Sequence, residues 1–400
     1  MKRILALILT LLMVFFAFAS CTLNDSKETE KETKKQTEKE TEPEADADNN
    51  DDIVFEDNAG SNNNNANNNA NNNTNENNNG NKTEDDTSEK AYTRNGNKIT
   101  FGSYPQSKVT DEALVATLNA KAGTLPTMDN KQAWTSYGYY MLGSNETDFT
   151  WYIDITEGGE KYRGVYFTGY RPYYTTGISA DGSNQAVNGY YVSTENEANV
   201  YWFKYEPISW TILNENATDK TALILCDMII DAQEYYSDSS DRIIDGKTVS
   251  PNNYEHSSIR KWLNKTFYET AFDELQKAII AETTVKNDLA STAMPINPYT
   301  SNDTQDKVFL LSCEEMTNED YKLGTTVSIM KKTTDYAQAQ NAYTRHNDNE
   351  YTGTGYWWLR TPYSDDACRA FNAGFSGSIS DYNVYYAREG VAPALQIKLD

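Results

Sequence analysis

Chemistry in this chain must come from a short list of side chains. Apart from Cys21 the cysteines are Cys226, Cys313 and Cys368, and the two histidines are His256 and His346. A cysteine nucleophile needs a base or cation beside it to hold the thiolate. Cys226 lies in the apolar run Ala222 to Ile230, and Cys313 follows Leu310-Leu311-Ser312. Both are expected as small buried hydrophobes. A disulfide among the three would leave one thiol over, and spacing does not choose the pair. His256 stands just ahead of a predicted helix N-cap and is not expected to be catalytic. No H-E-x-x-H, C-x-x-C or EF-hand spacing occurs. The acidic stretches Asp238 to Asp241, Asn302-Asp303 and Asp365-Asp366 offer oxygens to calcium. They read more simply as solvated charge, so no cofactor is predicted. Glu and Asp are too numerous for sequence to select a glycosidase pair, which is defined by a separation in space.

Aromatic density is the stronger signal, with 29 Tyr and 7 Trp. Tyr139, Tyr140, Tyr173, Tyr174, Tyr190 and Tyr191 lie in Gly-rich, polar surroundings. From Lys161 to Thr168, alternation puts Tyr162, Gly164 and Tyr166 on one face and Arg163, Val165 and Phe167 on the other. Tyr and Trp on mobile loops present a wide rigid face and a polar tip, suited to stacking on sugars or packing on protein. The expected ligand-binding residues are therefore Tyr139, Tyr140, Tyr166, Tyr173, Tyr174, Tyr190, Tyr191 and Trp358. The rival reading makes each tyrosine half-buried filler of a strand-rich domain. Trp357 and Trp358 point to opposite faces of one strand, so at least one belongs to the core. Arg260 and Arg360 are expected as buried partners of acidic side chains.

The chain has 400 residues, 59 acidic against 35 basic, and a net charge of −24. That balance argues against nucleic-acid binding, which draws its affinity from Lys and Arg on phosphates. Lys2 and Arg3 precede the apolar run Ile4 to Phe18, too short for a comfortable membrane span. The run ends Phe18-Ala19-Ser20-Cys21, which resembles the lipobox of bacterial lipoproteins, departing at Phe18 where Leu is commoner. The resemblance implies that residues 1–20 are a signal peptide and that Cys21 is acylated, anchoring the chain outside the cell. The rival is an ordinary secretory signal cleaved near Ala19. Residues 22–90 hold 19 acidic and 7 basic residues, and 15 of the 21 from Ser61 to Asn81 are Asn. With so little to bury, residues 21–90 are expected to be a disordered tether. It would span roughly 45 Å as a flexible coil and about 230 Å pulled straight.

Residues 91–400 read as one extracellular α+β domain, strand-rich and irregular, with a few helices. Strands are predicted at Lys98 to Phe101, Phe149 to Ile155, Lys161 to Phe167, Val200 to Tyr205, Ile208 to Leu213, Ala222 to Ile230 and Val308 to Leu311. The C-terminal part adds Tyr356 to Leu359, Cys368 to Ala373, Val384 to Ala387 and Ala392 to Leu399. Gly102-Ser103-Tyr104-Pro105 reads as a turn and Gly158-Gly159 as a hairpin turn. Helices are predicted over Ser258 to Phe272, capped by Ser257, and over Asp273 to Ile280. A third starts at the capping box Ser312 with Glu315. A long insertion with its own hairpins is expected at about 121–189.

Five phrases occur in order: Phe101-Gly102-Ser103-Tyr104-Pro105-Gln106, Tyr205-Glu206-Pro207-Ile208-Ser209-Trp210, Ser257 to Asn264, Trp357-Trp358-Leu359-Arg360-Thr361-Pro362 and Gly390-Val391-Ala392-Pro393-Ala394-Leu395. Together they resemble a domain of unknown function found in surface proteins and lipoproteins of Gram-positive gut bacteria, over roughly residues 97–400. The last phrase departs from that family's G-V-R-P-A-L, with Ala392 in place of Arg. More distantly, the layout is similar to formylglycine-generating enzymes and C-type-lectin-like domains. The lectin calcium phrase E-P-N is absent, since Ile208 follows Glu206-Pro207. The reading that results is a lipid-anchored surface module that binds a glycan or a protein, held at the extracellular face of the cell membrane. The alternative is an enzyme, either a degenerate formylglycine-generating type or a carboxylate-dependent hydrolase. A third reading is a structural subunit of a surface assembly.

Overall fold

A computed structural model describes residues 90–127, 129–139, 149–167, 171–172, 190–191, 200–323, 326–345 and 350–399. Residues 1–89, where a signal peptide, an acylated Cys21 and a tether are expected, lie outside them, as do Tyr140, Tyr173 and Tyr174.

Strand β1 (Thr93–Asn95) pairs with β2 (Lys98–Lys108). The expected turn at Gly102 to Pro105 is instead the middle of β2. The strand passes through it by two register shifts, between Thr100 and Ser103 and between Pro105 and Lys108. Bulges absorb what regular pairing rejects: a proline, and Gly102 with φ +74°. A Cβ on Gly102 would stand 2.6 Å from the Phe272 ring. Helix α1 (Glu112–Ala122) was not expected. Its stripe is narrow, with Leu118 and Ala122 buried, but Asp111 caps it by accepting from Ala113 N and Leu114 N.

Strand β3 (Thr135–Tyr139) pairs with β4 (Phe149–Glu157), which pairs with β5 (Glu160–Phe167) through Gly158 and Gly159, both at positive φ. The short pair β6 (Arg171–Pro172) and β7 (Tyr190–Tyr191) follows. Two predicted strands fuse into β8 (Tyr201–Asn216), because Pro207 falls opposite Ser103 of β2, beside one of the register shifts. Then comes β9 (Thr221–Cys226). The stretch read as an insertion therefore contributes strands to the main sheet, β5 pairing directly with β8.

Past β10 (Asp231–Ala232) and the hairpin β11 (Arg242–Ile244) with β12 (Lys247–Val249), Ser257 Oγ accepts from Arg260 N and starts the expected helix. That helix, α2, runs over Ser258–Trp262, a π turn at Leu263–Phe267 and a last turn at Tyr268–Ala271. Asp273 and Gln276 form a capping box for α3 (Glu274–Ile279). Strand β13 (Ile280–Ala281) is followed by the pair β14 (Thr283–Val285) and β15 (Thr304–Asp306). Val308 to Leu311 is buried as expected but is not a strand. Asn264 takes Lys307 N at 2.8 Å and gives its amide to Val308 O at 2.9 Å, and one bridge joins Phe309 to Ala394. Ser312 and Glu315 form the predicted capping box of α4 (Cys313–Thr317), and α5 (Asp335–Ala339) is capped by Thr334.

The last third holds β16 (Trp357–Pro362), β17 (Arg369–Ala373), β18 (Ile379–Asn383), β19 (Gly390–Val391) and β20 (Ala394–Lys398). Val384 to Ala387, predicted as a strand, is a turn that Tyr386 N closes on Asn383 O. The main nine-stranded sheet runs β13-β20-β9-β8-β5-β4-β3, with β2 and β1 added on β8. A second sheet runs β10-β19-β16-β17-β18. The fold is thus a strand-rich α+β domain. Alternation along β5 and β8 separates two cores. Val165, Tyr201 and Phe203 face the larger one, while Tyr162 and Trp202 join Leu118, Trp134 and Trp151 in the smaller. Arg163, 4 % exposed, is held by Asp154 at 2.8 and 2.9 Å, as a buried guanidinium must be.

Candidate functional site

Trp357 and Trp358 make β16 the fixed centre of the second sheet. Both are fully buried; Trp357 Nε1 donates to Ile329 O at 3.1 Å and Trp358 Nε1 to Gln233 O at 2.8 Å. Next to β16 the parallel strand β19 passes so close that a Cβ on Gly390 would meet Ile229 at 2.3 Å and Tyr356 O at 2.6 Å. That approach carries Glu389 in beside Tyr356. On the other side the β17–β18 hairpin brings Asn372 opposite Ser380. Tyr343 is tied to the same place by its N–H to Arg388 O, 2.9 Å.

These elements line a half-open cavity of about 390 Å³. Its walls are tyrosines set at angles. Tyr382 and Tyr386 have centroids 4.7 Å apart at 86°, and Tyr343 and Tyr356 5.1 Å apart at 58°. Glu389 and Asn372 are the buried polar pair among them, 4 % and 1 % exposed. Asn372 Nδ2 donates to Glu389 Oε2 at 2.9 Å. Burial raises the Glu389 carboxyl to about 7, against the opposing pull of Asn372 and Arg388. Burial, Tyr343 and Glu389 together push the Tyr356 phenol up to about 12. At the rim, Arg369 Nε stands 2.8 Å from Asp381 Oδ1. A half-apolar cavity with a few convergent polar groups is the form a small-ligand site takes. A second hollow of about 570 Å³, by Arg94, Glu215, Asp320 and Lys322, is more open and its Arg94 is paired with Glu215 at 2.6 Å.

The residues expected to bind ligand fall elsewhere. Trp358, expected to offer a ring face, is corrected to a core residue, because its indole is packed edge-on against Tyr235, with centroids 5.6 Å apart. Tyr166 is half-buried in the smaller core, its centroid 6.2 Å from that of Trp134. Tyr139, Tyr190 and Tyr191 are placed only as backbone, in β3 and β7. Cys226 and Cys313 are buried free thiols, each pushed by burial up to about 12, and Cys368 is a free thiol at intermediate exposure. His256 Nε2 is 3.8 Å from Glu255. Among the described residues no cluster of three or more His, Cys, Asp or Glu side chains is placed to hold a metal ion such as calcium. Arg360 is buried against Glu315 at 2.5 and 3.1 Å and Arg260 bonds Asp306 at 2.7 Å, the paired role expected of both.

The cavity residues Tyr343, Tyr356, Asn372, Tyr382, Tyr386 and Glu389 were not singled out from sequence. Glu389 directly precedes the Gly390-Val391 phrase and Tyr356 directly precedes Trp357-Trp358, so two recognisable motifs flank the site. Nothing local distinguishes that glutamate from the rest of the acidic residues.

Residues 219–399 match the model of the family described as a domain of unknown function, DUF6273, so the cavity lies wholly within the matched part. No curated protein and no solved structure matches the chain. Among the described residues no helix is long and apolar enough to cross a membrane.

Proposed function

We propose that this protein is a lipid-anchored binding module of the cell surface that takes a glycan in the tyrosine-walled cavity over Glu389. The observation that carries the reading is the cavity itself, four tyrosines around one buried carboxyl–amide pair. Tyrosine faces pack on the C–H faces of sugar rings, and a carboxylate with an amide fixes hydroxyl groups by directed hydrogen bonds. The Cys21 lipobox and the tether at residues 21–90 would hold this domain at the extracellular face of the membrane and lift it outward. A C-type-lectin-like fold, and a distant kinship with formylglycine-generating enzymes, belong to the same proposal. In their support, β2 near the start of the domain and β20 at its end lie in one sheet.

The test is retention of the full chain, in detergent, on a panel of wall and dietary polysaccharides. One glycan class is expected to hold it, and Tyr382→Ala, on the exposed wall, to weaken that binding at least about tenfold. Equal retention of wild type and Tyr382→Ala on every polysaccharide would remove the cavity from the proposal.

A hydrolase is the second reading, favoured by one observation. A carboxyl raised to about 7 inside a cavity has the property of a general acid. It predicts turnover of the bound oligosaccharide that Glu389→Gln abolishes while binding persists. Unchanged oligosaccharide after prolonged incubation leaves the binding module.

A further inference from the structure

We propose that the free edge of β18 is a docking strip, to which an extended basic segment of a partner protein adds as a further strand. The inference goes beyond the glycan reading and does not rest on it. Strand β18 ends the order β10-β19-β16-β17-β18, and among the described residues only β17 pairs with it. None of its five residues is buried. Antiparallel pairing turns the N–H and C=O of successive residues to opposite sides of a strand. Val384 N donates to Cys368 O at 2.8 Å and Gly374 N to Ser378 O at 2.6 Å, which fixes the phase. Ser380 and Tyr382 therefore turn their backbone groups to β17, opposite Asn372 and Ala370. Ile379, Asp381 and Asn383 turn theirs outward. Tyr386 N donates to Asn383 O at 3.1 Å. The N–H and C=O of Ile379 and Asp381 and the N–H of Asn383 bond to nothing among the described residues. An open edge of this kind is a template for another strand.

Charge selects the occupant. Asp381 stands in the middle of the edge, and beyond Asn383 the bond from Val384 leads to Cys368. Cys368 N donates to Asp366 Oδ1 at 2.8 Å, and Cys368 Sγ to Ser239 O at 3.0 Å, which brings the Asp238 to Asp241 loop to the same end. Burial, with Asp366 and Asp365 near by, raises the Asp381 carboxyl despite Arg369. That arginine is already engaged with Asp381 at 2.8 Å, and Arg242 is spent on Ser250 O and His256 O. No Lys or Arg among the described residues pairs with Asp238, Asp241, Asp365 or Asp366. A second copy of the chain fits poorly. Pairing all three outward residues of two copies would set Asp381 against Asp381, and like charges directly opposite are destabilising. A strand with cations at alternate positions fits, since those side chains share one face with Asp381. Its other face meets Tyr382, 38 % exposed.

Calorimetric titration of the full chain in detergent tests this with synthetic peptides. The first is an acetylated, amidated heptapeptide alternating lysine and valine. Two more carry N-methyl groups on every lysine or on every valine, and a fourth has glutamate in place of lysine. The unmethylated lysine peptide is expected to bind. A strand turns alternate amides to its neighbour, so methylation in one phase should weaken binding at least about tenfold and in the other leave it within about twofold. The glutamate peptide should bind at least about tenfold more weakly than the lysine one. Asn383→Pro, which removes an outward N–H that β17 does not use, should repeat the loss seen with the blocking phase. General attraction of an acidic chain for a polycation predicts equal affinity for both methylated forms, and that result overturns the proposal. Equal affinity for the lysine and glutamate peptides overturns it as well, as does absence of binding by every peptide. A dimer in sedimentation that Asn383→Pro splits would give the edge to a second copy and overturn the basic partner. If Asn383→Pro does not fold, the two methylated peptides decide the matter on the wild-type chain.

Discussion

Glu389 carries consequences for stability as well as for ligand. Its carboxyl titrates near 7 in the folded chain against an ordinary 4.5, because burial disfavours the anion. The folded form then holds the proton more tightly than the unfolded one. Its contribution is complete below about pH 4.5 and is lost as pH rises to about 7, roughly 3 kcal/mol in all. Asp231, raised by burial to about 6, and Glu234, raised by burial to about 7, act with the same sign. Asp154 and Asp227 act oppositely. Burial opposes their ionisation, but Arg163 at the first and Lys98 at the second bring the carboxyls below their ordinary value. What those two contribute is lost only under acid conditions below about pH 4. The melting temperature is therefore expected to fall from pH 5 to pH 8, and Glu389→Gln to flatten part of that fall. A melting temperature that climbs across this window would contradict the assignment. At Arg360, 3 % exposed and bonded also to Leu310 O at 2.7 Å and Lys286 O at 3.2 Å, Arg360→Met would take the guanidinium from both carbonyls and leave the Glu315 carboxylate only the Ser312 N–H at 2.8 Å. Urea denaturation should show a loss of about 3–5 kcal/mol, as for other broken buried pairs.

At the scale of elements, β19 decides whether the cavity exists. Two residues long, it lies between β10 and β16, and its Gly390 N donates to Tyr356 O at 2.8 Å. No side chain fits at Gly390. Gly390→Ala should force β19 away from β16, with a loss of about 1–3 kcal/mol or more and a weakened Glu389–Asn372 contact. Intact stability together with wild-type ligand affinity in that variant would show that the close approach is dispensable. Local signals predicted the elements they govern: Ser257 and Ser312 cap helices, and Gly158-Gly159 turns a hairpin, while Asp273, expected inside its helix, is the cap of it. They failed where a distant partner decides. Pro105 and Pro207 looked like strand ends, yet bulged pairing of β2 with β8 carries both strands past them. Val308 to Leu311 looked like a strand, yet the Asn264 side chain meets part of its hydrogen-bonding demand.

At the scale of the molecule, the described residues fall in one compact unit, Glu84–Asp400. The proposal adds an anchor at Cys21. Fractionation of cells making Cys21→Ala should find the protein in the soluble or secreted fraction, and wild type with membranes. Retention of Cys21→Ala with membranes would mean that something other than acylation holds it.

Composition and local pattern by themselves determined that this is a strand-rich acidic chain with few helices, where several of those helices begin, and that Arg260 and Arg360 pair with acids. Those properties depend on residues close in sequence or on the energy of burying charge, both readable from one chain. Only the tertiary structure decided that Trp358 is core and that Tyr343, Tyr356, Asn372, Tyr382, Tyr386 and Glu389 share one cavity. Their meeting depends on the β10-β19-β16-β17-β18 order, and strand order is set by long-range pairing that no short motif encodes. The glutamate that matters is marked by its surroundings, a desolvated place beside an amide, and not by its neighbours in sequence.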